Sequence, residues 1–563
     1  MNRSRTVVAI LAILAVAIAL RLGSLFVSPL PYNPDGVIYA RYTTDAISLG
    51  QLDLSTFATD SLGFTALLTV VSQVTGQPSL YVAQPASAVV GGATVLFAVV
   101  FARRLAPAGW TDRSVRLAGF LAGLLAAVDG LYVYRSMATD ETTAGLLLLP
   151  LLALAAGRTL GTGQRRWAAI AGLIVAFHPP LHNHDGVLGA LVLTVAVSYW
   201  LITSDRQYGR RVTVAVTVLA VTWVWVVGYH PVAARLTPAT VIQTNRLQGA
   251  PGLLVAWVVV GVAGVVWSET TSRRLRRTTL LAVVGSWFLL LGLNAAVLVF
   301  PGTTPTSTGL LLMLAPLSVV AVLAVLGVEW SLRRRPDGDD LALLALVGGP
   351  MILLGFALSA GLTPINLSTA FRTQLYLHVP FMALAAVAFV GLSKQLTPSR
   401  RSIRAVAVTA LVVCAAVSLP IAFTGLEHRP YETITTTGQF AGTEFAAEHT
   451  VGEWTTDDHL RRVTRYHAAN SQVTVGVGGI QASVSAASGP LYEWLRDGAP
   501  PPDCPVLAQR SWTGEGAQFH PRDPVQVSSA RLDGWQATNN VVYAGGATTD
   551  ITLVRPVTGT DNC

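Results

Sequence analysis

The chain contains little charge and almost no lysine. Asp, Glu, Lys and Arg make up 12% of its 563 residues, while hydrophobic residues make up 52%. Because an average soluble protein carries about 25% charged residues, this composition is not that of an ordinary soluble protein and predicts a membrane protein. Lys394 is the one lysine in the sequence, so arginine carries almost all of the positive charge.

Cysteine is also scarce. Cys414 lies in an apolar run, where we expect it to serve packing, whereas Cys504 and Cys563 share the C-terminal region. If that region is extracytoplasmic, the two thiols could form a disulfide. Two free or buried thiols are the alternative, because the sequence does not establish that the two residues lie close together.

The net charge of +8 does not indicate nucleic-acid binding. Most basic residues stand in short loops between apolar runs, and residues 426–563 contain 9 arginines against 15 acidic residues. We therefore expect no nucleic-acid partner. We predict two domains, a polytopic transmembrane domain at 1–425 and a soluble extracytoplasmic domain at 426–563.

Apolar runs recur through the first 425 residues. A transmembrane helix needs about 20 apolar residues. Thirteen runs are predicted to be spans, of which the fifth and the eighth are short, so the count could differ by one or two. They are 7–27, 82–101, 117–134, 143–156, 167–178, 186–202, 212–227, 252–267, 279–300, 309–328, 341–360, 375–392 and 405–423. The first is expected to be an anchor rather than a cleaved signal. The run 63–74 is too short to span and is predicted to lie along the interface or to re-enter the membrane.

The distribution of arginine predicts the orientation. Alternate loops hold 23 basic residues, whereas the opposite loops hold Arg41, Arg135, Arg235, Arg246 and Arg372. By the positive-inside rule, this places the N-terminus in the cytoplasm and the C-terminal domain outside a cell membrane that the chain crosses many times.

The C-terminal region has an α/β pattern. Residues 440–448 and 491–496 are predicted helices, and 472–477, 506–512, 541–544 and 551–554 are predicted strands. The last two strands are expected to form a hairpin through Gly545-Gly546.

The first predicted outer loop contains Asp35, in the sequence Pro34-Asp35-Gly36. A carboxylate at a membrane margin is costly unless it is paired, hydrated or used, which makes Asp35 a candidate catalytic residue. Pro34 stiffens the loop, and Gly36 would permit close approach of a substrate. Tyr39 follows on a helix, where it either anchors the helix at the interface or stacks on a sugar.

The next predicted outer loop carries Asp140 and Glu141. Thr139 could cap a helix whose first turn holds both acids, an arrangement favoured by the helix dipole. The two acids could equally serve a substrate, and both roles could hold at once.

Residues 178–185 form the densest cluster of ligand-capable side chains, with His182 and Asp185 among them. Their spacing could hold a divalent metal. Short outer loops also gather polar residues without binding anything, so no cofactor is required and a divalent metal stays an open alternative.

Arg372 is one of the few outer arginines and stands where the twelfth predicted span begins. A guanidinium group pairs with phosphate through two parallel hydrogen bonds. The alternative is that the side chain snorkels to the interface.

Together these features resemble the GT-C superfamily of polytopic glycosyltransferases, which includes dolichyl-phosphate-mannose-dependent mannosyltransferases and oligosaccharyltransferases. The family pattern is an acid in each of the first two outer loops, an interfacial helix between them and an arginine near a late span. Asp35, Asp140 or Glu141, the segment 63–74 and Arg372 occupy those places. The resemblance implies an all-α polytopic membrane protein with about 13 transmembrane helices and a small C-terminal α/β domain.

The arginine bias and the acidic outer region look most like archaeal members that act in S-layer N-glycosylation. The chain departs from two related groups. It lacks a WWDXG-like signature, which argues against an oligosaccharyltransferase, and it has Asp-Gly where protein O-mannosyltransferases usually have Asp-Glu. These departures favour a lipid-linked glycan acceptor over a protein acceptor.

The resemblance also implies a reaction. The donor would be a dolichyl or other polyprenyl phosphate sugar, with mannose the family-level expectation, and the acceptor a lipid- or protein-linked glycan. Asp35 would be the general base, and Arg372 would stabilise the departing phosphate. Asp140 or Glu141 would orient the acceptor. Tyr39, His182 and Asp185 would contribute to substrate binding.

Two other functions stay open. A transporter or a flippase for lipid-linked sugars would suit thirteen spans, but such proteins tend to carry charges at mid-membrane and repeated halves. The predicted spans are nearly free of charge apart from Arg21, and no repeat appears. A structural or assembly factor of the cell envelope would leave the two acidic loops unexplained.

Overall fold

The computed structural model describes most of the chain. The described residues are 3–52, 54, 61–203, 208–235, 247, 249–299, 305–331, 338–361, 363–395, 401–425, 432–450, 453–467, 489–519, 522, 524–545 and 551–557. The first 425 positions are almost entirely helical, and the β-structure lies in the C-terminal region. The predicted fold class, a polytopic helical protein with a small C-terminal α/β part, is confirmed.

Nineteen helices precede the C-terminal region among the described residues. They are α1 Arg3–Arg21, α2 Pro34–Leu49, α3 Leu62–Thr75, α4 Ser79–Ala93, α5 Val95–Leu105, α6 Asp112–Val128, α7 Gly130–Ser136, α8 Glu141–Thr162, α9 Arg165–Leu181, α10 Asn183–Ile202, α11 Tyr208–Ala233, α12 Pro251–Thr270, α13 Arg273–Ala296, α14 Thr308–Leu314, α15 Leu317–Ser331, α16 Asp339–Ser359, α17 Pro364–Gln374, α18 His378–Ser393 and α19 Arg401–Ala416.

The spans agree closely with the apolar runs. Within the described residues, eleven helices or continuous helix pairs are long and apolar enough to cross a membrane, and the bent pair α6–α7 makes twelve. The one predicted span outside this count is the fifth, 167–178, which corresponds to α9 with 17 residues. Because α8 begins at Glu141, and His182 at the end of α9 contacts Glu141, α9 brings the chain back to the face where α8 starts.

The predicted span 117–134 is broken in the middle. Helices α6 and α7 meet at a 68° bend. Asp129 causes this break, because its carboxylate accepts hydrogen bonds from the backbone amides of Leu131 and Tyr132 and so begins a new helix. The other carboxylate oxygen pairs with His378. Asp129 is thus a buried carboxylate inside a segment that the sequence predicts to be one apolar span.

The opposite end of the bundle is tied by an ion-pair cluster. Asp339, at the start of α16, lies 2.9 Å from Arg104 and 3.1 Å from Arg158. These contacts join α5, α8 and α16 at the end that the arginine distribution predicts to be cytoplasmic. The core between the two ends consists mainly of buried alanine, leucine and valine, whose dispersion contacts hold the helices together.

Helices α12 and α13 lie at the periphery and bury few of their residues. A long cavity of about 840 Å³ separates parts of them from α16, α17 and α18. The fold therefore leaves a largely apolar space beside the core, and Asp35 is among the residues that line it.

The C-terminal region forms a small α/β unit. Its helices are α20 Thr437–His449, α21 Asp458–Thr464, α22 Pro490–Asp497 and α23 Ser529–Thr538, and its strands are β1 Val506–Gln509, β2 Asn540–Ala544 and β3 Ile551–Arg555. The strands form an antiparallel sheet in the order β1-β3-β2. The helices predicted at 440–448 and 491–496 and the pairing of the last two strands are confirmed.

Three predictions for this region involve residues outside the described part of the chain: the strand at 472–477, Gly546 in the hairpin, and Cys563. Cys504 is disulfide-bonded, whereas Cys414 is a free thiol.

Candidate active site

The first loop is shaped by Asn33, which precedes α2. Its φ is 87°, the one positive φ of a non-glycine residue in the part of the chain that the structure describes. The side chain accepts a hydrogen bond from the amide of Asp35 at 3.2 Å and donates one to Asp140 at 3.1 Å. Unfavourable backbone angles persist where surrounding contacts enforce them, often at functional sites. Asn33 thereby joins the two acidic loops.

Gly36 has a different role from the one expected. A Cβ at this position would lie 2.6 Å from Cβ of Thr139 and 2.7 Å from Cβ of Pro31. The glycine therefore allows the first loop to pack against the second loop, rather than allowing a substrate to approach.

Asp35 lies at the start of α2 and forms an ion pair with the C-terminal region. Nη1 of Arg462 on α21 lies 3.1 Å and 3.2 Å from the two carboxylate oxygens. The Asp35 side chain is 34% exposed and that of Arg462 28%. The pair is therefore accessible from the cavity.

The charge of Asp35 is set by surrounding arginines. Burial alone would raise the pKa of its carboxyl, but the positive charges of Arg462, Arg372, Arg465 and Arg135 outweigh burial and lower that pKa. Asp35 is consequently a carboxylate at neutral pH and can accept a proton.

Asp140 caps α8. One carboxylate oxygen accepts a hydrogen bond from the amide of Thr142 at 3.1 Å, and the other lies 2.9 Å from Nη2 of Arg135. Its side chain is almost fully buried. The predicted helix start is present, with Asp140 rather than Thr139 as the capping residue.

Behind Asp35, a chain of hydrogen bonds crosses the site. The hydroxyl of Tyr39 donates to Glu141, and the two ring nitrogens of His182 lie 3.2 Å from Glu141 and 3.2 Å from Asp185. Asp185 then accepts a hydrogen bond from the hydroxyl of Tyr376. The chain connects α2, α8, α10 and the segment that follows Arg372.

The cavity combines a charged end with apolar walls. The polar end is lined by Asn33, Asp35, Arg135, Arg372, Glu432 and Arg462. The walls farther along are lined by side chains such as Phe288, Leu291, Leu317, Leu354, Phe371 and Phe381. This arrangement suits an elongated amphipathic molecule whose anionic head lies near Asp35 and whose apolar tail lies between the helices.

Arg372 lies in the last turn of α17 and lines the same end of the cavity. Its charge acts on Asp35. Within the described residues Arg372 forms no ion pair, so its guanidinium is available to an anion in the cavity.

No protein-family model and no curated protein matches the sequence. Among solved structures, the apo oligosaccharyltransferase of Archaeoglobus fulgidus aligns over 90% of this chain and 70% of its own length, with a TM-score of 0.51 and 12% identity. The same enzyme tethered to an acceptor peptide containing the NVT sequon aligns over 81% of this chain and 63% of its own length, with a TM-score of 0.50 and 13% identity. The present chain thus spans 63% of the length of that structure.

The chain has the GT-C fold. A third structure, ArnT from Cupriavidus metallidurans bound to undecaprenyl phosphate, aligns over 97% of both chains with 14% identity, but its TM-score of 0.42 is too low to support an argument. At these identities the alignments establish the fold and not the chemistry.

In this GT-C fold, the candidate residues separate into two groups. Asp35 and Arg372 line the cavity. Asp140, Glu141, Tyr39, His182 and Asp185 are not among its lining residues and are hydrogen-bonded to one another or to the loops behind it. Tyr39 is buried, with its ring 4.9 Å from that of Phe64.

The side chains near Asp35 do not fit a metal ion. Among the described residues, no group of three His, Cys, Asp or Glu side chains converges as a cation site would require. The carboxylate of Asp140 already pairs with Arg135 and accepts a hydrogen bond from Asn33. Both ring nitrogens of His182 lie against carboxylates and are not directed at a shared cation position. Positive charge at the cavity's polar end comes instead from arginine.

Besides Asn33, Arg135 and Tyr376, four further residues of the site were not predicted from the sequence. Arg462 and Glu432 come from the C-terminal region, and Asp129 and His378 form a pair in the cavity wall. Only Asp129 has a local signal, an Asp-Gly pair inside an apolar run, which is typical of a helix break. The other three become recognisable only when the chain is folded.

Proposed function

We propose that the protein is a membrane glycosyltransferase that moves a sugar from a polyprenyl (dolichyl) phosphate to an acceptor hydroxyl on the outer face of the membrane. The observation that carries this proposal is the cavity, whose apolar walls end at a carboxylate between arginines. The apolar walls suit a polyprenyl chain, and the guanidinium of Arg372 suits the phosphate at the end of that chain.

In this mechanism Asp35 is the general base. An oxygen of Asp35 accepts the proton of the acceptor hydroxyl as the hydroxyl oxygen bonds to the anomeric carbon. The bond between that carbon and the phosphate oxygen breaks on the opposite face, so the configuration inverts and the lipid phosphate leaves with the electron pair. Arg372 stabilises the negative charge that develops on the phosphate.

The buried acids position this machinery. Asp140 forms an ion pair with Arg135 and accepts a hydrogen bond from Asn33, whose side chain in turn accepts one from the amide of Asp35. Glu141, His182 and Asp185 connect the helix of Asp35 with the segment beyond Arg372. A sub-ångström shift in such a frame changes the alignment of base and acceptor, so these residues affect the rate without contacting the reacting atoms.

Finer aspects of the proposal come from the sequence. Mannose as the sugar and a glycan acceptor in protein N-glycosylation follow from the resemblance to archaeal mannosyltransferases. The outward position of the site follows from the concentration of arginine in the opposite loops.

The test compares lipid-linked and protein-linked glycans by mass spectrometry in a deletion strain carrying wild type, Asp35→Asn or Asp45→Asn. Asp45 lies on the same helix as Asp35 and pairs with Arg41 at 2.9 Å, so its replacement is a matched control. We expect Asp35→Asn to slow transfer by about 10²- to 10⁴-fold, because general bases contribute that much. One sugar should be missing from the glycans of the deletion and Asp35→Asn strains, and the lipid phosphate that still carries this sugar should accumulate. The Asp45→Asn variant should restore the complete glycan.

An unchanged glycan in the deletion strain would contradict the proposal. An assay of sugar transfer in detergent-permeabilised membranes distinguishes a transferase from a flippase. Both membrane faces are then accessible, so a flippase becomes dispensable and membranes from the deletion strain would regain transfer, whereas a transferase remains essential.

A further inference from the structure

The C-terminal region contributes a charged residue to the cavity. Arg462 lies on α21, whose first turn is capped by Asp457 through a hydrogen bond from the amide of Leu460 at 3.0 Å. Asp457 is itself buried and accepts hydrogen bonds from Trp512 at 3.0 Å and Gln509 at 3.2 Å. The helix carrying Arg462 is therefore fixed in the C-terminal region, and only the long arginine side chain needs to move.

Attachment of this region to the first loop is direct. The amide of Asn33 donates to the carbonyl of Thr433 at 2.7 Å, and Tyr32 and Ile434 form an antiparallel bridge. Ser28 donates to the carbonyl of Thr435. The region that carries Arg462 is thus bonded to the backbone immediately before Asp35, which determines where the guanidinium lies.

The Asp35–Arg462 contact has the character of a reversible pair. It is made through the single nitrogen Nη1, and both side chains are about one-third exposed. Such pairs are weak because water screens them. A phosphate carries more negative charge than a carboxylate and presents more acceptor oxygens, so it competes well for the same guanidinium.

We propose that Arg462 is an active-site residue that pairs with Asp35 in the empty enzyme and transfers to the donor phosphate when the lipid binds. This inference rests on the proposed function. Arg462 and Arg372 then flank the phosphate, and departure of the lipid phosphate is stabilised by both.

The exchange also prepares the base. While Arg462 pairs with Asp35, its charge disfavours protonation of the carboxylate. Once Arg462 faces the phosphate, Asp35 becomes a stronger proton acceptor at the moment when a donor is present. The other charged groups near Asp35 are Arg372, Arg465 and Arg135, together with Glu432 on the facing segment. None of these needs to move for the exchange.

The test measures binding of farnesyl phosphate and of farnesol, its uncharged counterpart, to the purified full-length protein in detergent. The variants are Arg462→Gln, Arg462→Lys and the matched control Arg461→Gln. Arg461 is the neighbouring arginine on the same helix, and it pairs with Asp458 at 2.9 Å. We expect Arg462→Gln to weaken farnesyl phosphate binding by about 10-fold or more, as expected for a charge-assisted hydrogen bond. Arg462→Lys should be intermediate, and Arg461→Gln should resemble wild type.

A double-mutant cycle distinguishes the exchange from general electrostatics. Asp35→Asn removes the competitor for Arg462, so farnesyl phosphate should bind about 1.5- to 5-fold more tightly than to wild type, in line with the modest strength of exposed ion pairs. In the Arg462→Gln background, Asp35→Asn should give no such gain, so the double variant should bind farnesyl phosphate as Arg462→Gln does. A gain that persists in the double variant would overturn the exchange.

The outcomes separate this inference from the proposed function. If wild type binds farnesyl phosphate no more tightly than farnesol, the lipid-phosphate donor itself is wrong. If wild type discriminates and Arg462→Gln discriminates equally well, the role of Arg462 is wrong while the proposed function stands. Melting temperatures of all variants show whether a loss of binding reflects a loss of folding.

Discussion

The hydroxyl of Tyr376 donates a hydrogen bond to the carboxylate of Asp185, although the two residues are 191 positions apart. Through His182, Asp185 is connected to Glu141 and then to Tyr39 on the helix of Asp35. Tyr376 follows Arg372 by four positions. The contact therefore links the phosphate side of the cavity to the helix that carries the proposed base.

The Tyr376→Phe variant tests this link. Removal of the hydroxyl leaves a buried carboxylate with one fewer donor, which costs about 1–3 kcal/mol. We expect a lower melting temperature and a several-fold lower transfer rate, because the two sides of the site lose a common support. Tyr543→Phe, on strand β2, is the control and should leave the transfer rate unchanged. An unaltered rate with a lower melting temperature would limit the link to stability.

Arg372 is expected to bind the donor phosphate and to stabilise it as it departs. Arg372→Ala should reduce kcat/KM for the lipid-phosphate donor by about 10²-fold, and Arg372→Lys should recover part of it, since lysine retains the charge without the two-pronged geometry. Kinetics with separately varied donor and acceptor provide the measurement. Arg235→Ala is the control, because Arg235 is an exposed arginine in another predicted outer loop. Because a lower kcat reduces kcat/KM for both substrates, binding of farnesyl phosphate decides the role of Arg372: an unchanged dissociation constant in Arg372→Ala would argue against a phosphate ligand.

Gly145 is required for the close approach of α8 to Asp185. A Cβ built at this position would overlap the carboxylate of Asp185, whereas a Cβ on Gly172 of α9 would meet nothing within 4 Å. Gly145→Ala should destabilise the protein by about 1–3 kcal/mol or more through overpacking. Gly172→Ala should cause no loss. Thermal unfolding in detergent compares the two, and a stable, active Gly145→Ala variant would contradict the packing around Asp185.

Glu432 should make the stability of the C-terminal region depend on pH. Burial raises the pKa of its carboxyl from 4.5 to about 7, although a hydrogen bond from Gln439 acts in the opposite direction. Because the folded state holds this proton more tightly than the unfolded state, its stabilising contribution is complete below pH 4.5 and is lost as the pH rises through about 7.

Unfolding of the full-length protein between pH 5 and pH 8, followed by tryptophan fluorescence, tests this pH dependence. Glu432→Gln should show a weaker loss of stability with rising pH than wild type. The residual dependence should come from Asp457, whose pKa burial raises to about 6. Glu444→Gln, an exposed position on α20, is the control and should follow wild type. Parallel curves for wild type and Glu432→Gln would show that Glu432 is not the group responsible.

The sequence by itself determined the helical membrane architecture. Apolar runs of about 20 residues have few structural alternatives in a bilayer, because every backbone polar group must be satisfied within the segment. The spans and the short helix Leu62–Thr75 were therefore predictable from local patterns. In the C-terminal region, the described strands and the helices Thr437–His449 and Pro490–Asp497 were predictable, whereas the helices Asp458–Thr464 and Ser529–Thr538 were not. Asp35 and Arg372 were identifiable for a related reason, since charged residues at membrane margins are rare.

Only the tertiary structure decided which charges meet. Arg462 reaches Asp35 across 427 positions, and Glu432 lines the same cavity as Arg372. A charged residue in a soluble region has no local pattern that predicts its partner, because most such residues are solvated. The same holds for Asp140 and His182, whose side chains turn out to brace the loops. Their roles depend on long-range packing, which brings distant segments within hydrogen-bond distance and is encoded in no single segment.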